Sequence, residues 1–264
     1  MNDRILILAE EAALFGALSG GVDHLLQTDD DVRAAYLKSR RCMWVSRDTT
    51  RLALIASKNL EPRKGHHRLL VFAALVPARR CLFETVFERV VAMDQGMSHL
   101  PTPELVDLLG SEDRQDLLIG GAVDLEAKTV MVFRGNLEAL SVPFSWFTSP
   151  PGGPLPDFHD FEVIDGGQTI RLGKYEAAVD ALLYERDAGF RKRSRERALE
   201  KDDSFGGALK RLRLLRGMKR EDFDGITAKE IARIERGDVK KPHGKTLKSL
   251  AGQLRVSPGE IETY

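Results

Sequence analysis

One stretch, Ile226 to Gly237 (ITAKEIARIERG), constrains the end of this chain more tightly than any other. Thr227 is a good N-cap and Glu230 stands three residues later. The spacing predicts a capping box, in which the Thr227 hydroxyl and the Glu230 carboxylate each satisfy a backbone N–H orphaned at a helix start. From that start Ile231 and Ile234 fall on one side with Ile226, while Ala228, Lys229, Ala232 and Arg233 fall on the other. Gly237 supplies the residue that ends such a run. The product is a short helix with one packing face and one cationic face, the form of a helix that must lie in a DNA groove.

The flanking sequence extends the pattern into a small all-helical domain. Ser204 can cap a helix whose apolar positions Phe205, Ala208, Leu209, Leu212 and Leu215 follow helical spacing, with Lys210, Arg211, Arg213 and Arg216 between them. Gly217 ends it. Met218 to Phe223 leaves room for about two turns, the first helix of a helix-turn-helix pair, and Asp224 and Gly225 make the turn. After Gly237, Lys240, Lys241, His243 and Lys245 crowd around Pro242, where they would hold the duplex backbone without reading sequence. Leu247, Leu250, Ala251 and Leu254 mark a fourth helix. Ser257, Pro258 and Glu260 form a second capping box with proline at the first helical position, opening a fifth.

On these residues Phe205 to Tyr264 resembles the Cro/repressor type (XRE-like) helix-turn-helix domain. LRLLRG at Leu212 to Gly217, IARIERG at Ile231 to Gly237, the step into Pro242 and TLKSLAGQLRVSPGEI at Thr246 to Ile261 carry the likeness. The resemblance implies that Ala228, Lys229 and Arg233 face bases in the major groove, with Thr227 near the backbone. Lys229 and Arg233 would each donate to guanine O6 and N7. It further implies that Arg220 holds a phosphate, and that Arg213 and Glu235 form an internal, structural salt bridge. Between Met218 and Thr227 the chain is about three residues shorter than the usual pattern, so the first helix of the pair must be truncated. A helical oligomerisation domain is the competing reading of the same residues, and charge favours DNA binding over it.

The 264 residues hold 40 Lys and Arg against 40 Asp and Glu, a balance that hides a segregation. Residues 1–185 carry net −8 and residues 186–255 net +10. Such asymmetry is expected when one part of a chain meets a polyanion and the other does not. The positive part supplies affinity through counterion release, which makes binding fall as salt rises. No run approaches the length of apolar residues that a membrane span needs, and the N-terminal apolar run holds acids where a signal peptide has none. A cytoplasmic, nucleoid-associated protein is expected. Cys42 and Cys81 lack any paired spacing, so no metal site, disulfide or cofactor is expected and both read as small buried residues. The adjacent His66 and His67 read as a loop or strand start.

Before the helical domain, Leu117 to Leu125, Thr129 to Arg134 and Leu137 to Phe144 read as an antiparallel meander. The proline-rich loop Ser149 to Asp157 follows, then strands at Phe161 to Ile164 and Thr169 to Leu172, and a helix at Tyr175 to Tyr184. VMVFRGNLEALSVPFSWF together with FEVIDGGQTIRLG is similar to a small bacterial domain of unknown function, the DUF2442 type, which brings no activity with it. Asp165 to Gly167 is expected to make a tight turn. Arg186 to Asp203, dense in both signs, reads as an exposed, partly helical linker whose Arg191, Lys192, Arg193, Arg195 and Arg197 either add phosphate contacts or form a solvated face. In the first 110 residues, Ile5 to Leu18, Asp31 to Leu37 and Cys81 to Met93 read as helices, and Arg51 to Ser57 and Arg68 to Val76 as strands.

The expected fold class is α+β: a mixed α/β region at 1–110 for sensing or dimerisation, a small antiparallel α+β domain at 113–185, the linker at 186–203 and a five-helix lambda-repressor-like domain at 204–264. The expected function is sequence-specific, non-enzymatic transcription regulation on double-stranded DNA, as a homodimer, with a small-molecule or protein effector. The alternative is an enzyme or a toxin–antitoxin or defence-system component tethered to DNA by the same helices. No nucleophile elbow, P-loop, dinucleotide fingerprint or metalloprotease motif occurs.

Overall fold

A computed structural model describes residues 4–8, 22–62, 65–93, 96–240 and 242–263. The chain divides into two compact units, Met1–Leu183 and Tyr184–Tyr264. α/β and antiparallel elements occupy the first unit and helices the second, so the fold is α+β.

The first unit begins with a parallel sheet of five strands, β1 (Arg4–Leu8), β2 (Val22–Leu26), β3 (Cys42–Ser46), β4 (Arg68–Val71) and β5 (Arg89–Ala92), in the order β2-β1-β3-β4-β5. Helices α1 (Asp29–Lys38), α2 (Thr49–Asn59) and α3 (Pro77–Val86) alternate with the strands. Leu6, Leu8, Trp44, Leu69 and Val71 share one core with Tyr36, Leu52, Ile55 and Phe83. Their neighbours Ile5, Ile7, Met43, Val45 and Leu70 are buried as well. Strands buried on both faces are continuous apolar runs, which hides the two-residue period from the sequence.

That burial explains the departures from expectation. Ile5 to Leu8 belongs to β1 rather than a helix, and the rest of the expected helix, 9–18, lies outside the described residues. Arg51 to Ser57 is helical, inside α2. Asp48 caps this helix by accepting from Thr50 N at 2.9 Å, and Leu52, Ile55 and Ala56 bury one face at i, i+3 and i+4. Asp31 to Leu37 is the helix α1. β4 stops at Val71, and α3 begins at Pro77, a residue preset for the first helical turn. The residues from Cys81 to Met93 divide between α3 and β5. Cys42 is buried, but Cys81 is exposed on α3. His67 is fully buried: Trp44 Nε1 donates to its Nδ1 at 3.4 Å, so Nε2 carries the proton shared with Tyr36 O at 2.9 Å.

The antiparallel part of the first unit holds β6 (Ser98–His99), α4 (Thr102–Gly110), β7 (Leu118–Asp124), β8 (Thr129–Arg134) and β9 (Ala139–Pro143), the strands lying in that order in one sheet. A second sheet, β10 (Phe161–Ile164), β11 (Thr169–Leu172) and β12 (Tyr175–Ala178), is a meander. The expected helix from Tyr175 therefore starts late. Gly173, at φ 63°, turns the chain so that Tyr175 pairs with Leu172, and α5 (Val179–Arg186) follows. Asp165 to Gly167 forms a tight 3-10 turn between β10 and β11. Arg68 at the start of β4 and Arg89 at the start of β5 donate to the carbonyls of Asn136 and Leu137, at 2.5 and 2.8 Å, which ties the parallel sheet to the β8–β9 turn.

In the second unit, most of the segment expected as a partly helical linker, Arg186 to Asp203, is the helix α6 (Ala188–Glu200). Asp187 caps it at Gly189 N, Phe190 is buried, and the Arg197 guanidinium lies 5.7 Å from the Phe190 ring centre. Then come α7 (Phe205–Leu215), a 3-10 turn at Arg220–Asp222, α8 (Ala228–Glu235), α9 (Gly244–Leu254) and α10 (Pro258–Thr263). Where five helices are expected there are four and a single 3-10 turn. Gly217 and Gly225 both take positive φ, so only seven residues separate them, too few for two helical turns plus their caps. One core of Leu209, Leu212, Phe223, Ile231, Ile234 and Leu250, with their neighbours, holds these helices together.

Candidate nucleic-acid interface

α8 is built as its residues require. Thr227 has extended backbone angles and its hydroxyl accepts from Glu230 N at 3.2 Å. Ile231 and Ile234 are buried, while Lys229 and Arg233 are exposed and Ala228 is half-buried. The expected return bond from Thr227 N to the Glu230 carboxylate is not made; only half of the capping box forms.

The position of α8 on α7 is fixed by close backbone approach and by charge. A side chain on Gly206 would run into the Ile234 carbonyl oxygen, so the start of α7 and the end of α8 meet at a separation only glycine allows. Arg213 donates from Nε to Glu235 Oε1 at 2.5 Å and from Nη1 to Met218 O at 2.9 Å. Both Arg213 and Glu235 are buried. Arg220 closes the same cluster, its Nε and Nη2 lying 2.8 and 2.7 Å from Glu235 Oε2. The guanidinium expected on a phosphate is paired with the buried carboxylate, while its side chain stays 41% exposed. Gln253 on α9 clamps the turn before α8, accepting from Asp224 N at 2.7 Å and donating to Asp224 O at 3.1 Å.

Beside the exposed face of α8 lies a cleft of about 550 Å³ lined by Thr227, Lys229, Glu230, Arg233, His243 and Thr246. His243 is the N-cap residue of α9 and makes no side-chain cap, so the first N–H groups of that helix lack a capping side chain. Lys245 is exposed in the first turn, and Lys240 is exposed in the loop before it. Lys241 lies outside the described residues. Cationic side chains, exposed helix-start N–H groups and a partial positive helix end together suit a phosphate backbone. The structure thus gathers Thr227, Lys229, Arg233 and His243 around one cleft, buries Arg213 and Glu235 in the fold, and pairs the half-exposed Arg220 with Glu235. Glu230 and Gln253 were missed as participants; only the acid's position in the cationic stretch could have drawn attention to Glu230.

Residues 209–261 match a family model described as helix-turn-helix (HTH_3). This segment is a helix-turn-helix domain of the XRE type. In it α7 is the leading helix, the turn at Arg220–Asp222 stands for the first helix of the pair and α8 is the second. The helix-turn-helix match covers the C-terminal unit alone; no curated protein and no solved structure matches the chain. Among the described residues no group of His, Cys, Asp and Glu could hold a metal ion, and no helix is long and apolar enough to cross a membrane.

Proposed function

We propose that this protein is a sequence-specific transcription regulator that binds duplex DNA by laying α8 in the major groove. The observation that carries this reading is α8 itself, apolar beneath, cationic outside and beside a basic cleft, within a matched helix-turn-helix domain. Lys229 and Arg233, with Ala228 beside them, face base edges; Thr227, Lys240, Lys241, His243 and Lys245 follow the phosphates.

Domains of this kind read paired half-sites about one helical turn apart, so the protein acts as a homodimer. The parallel sheet supports a sensing role for the first unit. Open parallel sheets bind ligands outside the carboxyl ends of their strands, at the point where strand order reverses, and in the order β2-β1-β3-β4-β5 that point lies between β1 and β3. The antiparallel part is read as a DUF2442-type unit, a resemblance that assigns it no activity. The role is regulatory and not catalytic.

Selection of bound sites from a random duplex library with the full chain tests this. The expected result is a palindromic motif, lost in the Lys229→Ala/Arg233→Ala variant; unselective or absent binding overturns the reading. A labelled duplex is expected to stay intact in magnesium and in manganese, and its cleavage would contradict the non-catalytic role.

A further inference from the structure

Among the described residues, three hydroxyl N-caps are followed three positions later by an acid. Before α1, Thr28 N donates to the Asp31 carboxylate at 2.9 Å, and before α10, Ser257 N donates to Glu260 at 2.5 Å. Before α8 the hydroxyl half forms and the carboxylate half does not. Glu230 is exposed and lines the cleft with Lys229 and Arg233, and among the described residues no hydrogen bond or ion pair holds its carboxylate.

We propose that Glu230 is a specificity-determining residue, its carboxylate accepting from the N4 amine of cytosine in the major groove. This rests on the reading of α8 as the DNA-reading helix. A recognition helix presents its N-terminal residues to base edges, and Ala228, Lys229 and Glu230 are the first three residues of α8. A carboxylate can only accept. Guanine O6 and N7 and thymine O4 are acceptors and are repelled; adenine sets its N7 acceptor beside its N6 donor and suits an amide; cytosine N4 is the donor a carboxylate fits. Glu230 therefore discriminates as much by rejecting the other bases as by holding cytosine. Its negative charge weakens binding to every duplex, a cost that a base-specific contact offsets. The capping of α8 needs only Thr227, so the side chain can be changed without removing the cap.

Site selection with the full chain carrying Glu230, Glu230→Gln or Glu230→Ala tests the assignment, with circular dichroism melting to show that all three fold alike. The native chain is expected to select cytosine at one position of its motif by about 5- to 150-fold. Glu230→Ala is expected to lose that preference, and Glu230→Gln to move it to adenine, which an amide holds through N6 and N7. One motif common to all three chains, with uniformly tighter binding by the variants, would show that the carboxylate only repels phosphates and would overturn the proposal. A native chain that selects no motif overturns the DNA-binding reading itself, and the role of Glu230 with it.

Discussion

Arg213 on α7 and Glu235 at the end of α8 are joined by two hydrogen bonds, Nε to Oε1 at 2.5 Å and Nη2 to Oε2 at 3.3 Å. The Glu235 side chain is 1% exposed, so its charge is stabilised by Arg213 and Arg220 in place of water. This cluster ties the end of α8, the helix that carries Lys229 and Arg233, to α7.

Removing Arg213 leaves a buried carboxylate with Arg220 as its remaining cation. Arg213→Ala is expected to destabilise the helical unit by about 3 kcal/mol, the cost of breaking a buried ion pair from one side. Arg220→Ala is expected to cost about 1 kcal/mol, because Arg213 stays in place. Chemical denaturation followed by circular dichroism measures both. Equal small losses would show that the pair does not hold α8.

Arg233 and Lys240 are both exposed but occupy different places, one on the outer face of α8 and one in the loop before α9. Arg233→Ala is expected to lower discrimination between a selected and a scrambled duplex by about 1 to 3 kcal/mol. Lys240→Ala is expected to weaken both duplexes alike and to flatten the salt slope by about one. Fluorescence anisotropy at several salt concentrations separates the two; equal losses on both duplexes for Arg233→Ala would remove it from the readers.

The helical unit was legible because its residues keep a 3.6-residue period and its stops are glycines: Leu209 and Leu212, and Ile231 and Ile234, are buried as spaced, and Gly217, Gly225 and Gly237 take positive φ. The meander from β7 to β9 was legible because its strands are separated by short polar turns. The parallel sheet was not. Ile5 to Leu8 and Cys42 to Ser46 are buried throughout, so no alternation marks them as strands, and Arg51 to Ser57 carries no breaker to separate helix from strand. At the site, spacing could show that Glu230 was able to close a capping box but not that its carboxylate stays open to the cleft. Nor could it show that Arg220 reaches Glu235, fifteen positions away, since that contact comes from the tertiary path of the chain.

Four carboxyls near helix starts are held below their ordinary values by the bonds they accept: Asp31 from Thr28, Asp48 from Thr50, Asp202 from Ser204 and Glu260 from Ser257. Groups lowered on folding stabilise the folded state fully above their unfolded values, 3.8 for Asp and 4.5 for Glu, and stop doing so as pH falls through the lowered folded values. Melting temperature is therefore expected to hold between about pH 7 and 5 and to fall below about pH 4. Asp202→Asn/Glu260→Gln should show a shallower fall. An unchanged acid slope in that variant would mean that these two carboxylates do not contribute.

His67 sits between Trp44 Nε1 and the Tyr36 carbonyl, its ring stacked 4.5 Å from that of Tyr36. His67→Phe keeps the ring but strands a buried donor and a buried acceptor, so a loss of about 2 kcal/mol is expected. Denaturant unfolding followed by tryptophan emission reads it, and an unchanged midpoint would show that the two bonds contribute nothing.

The most direct test of DNA binding through α8 is the equilibrium affinity of the full chain for a duplex carrying the selected site, measured across salt for the native protein and for Lys229→Ala/Arg233→Ala. The expected result is a linear fall of log affinity with log salt, and loss of the preference for the selected site in the variant with its melting unchanged. Equal affinity and equal preference in the variant, or binding that ignores salt, would contradict it.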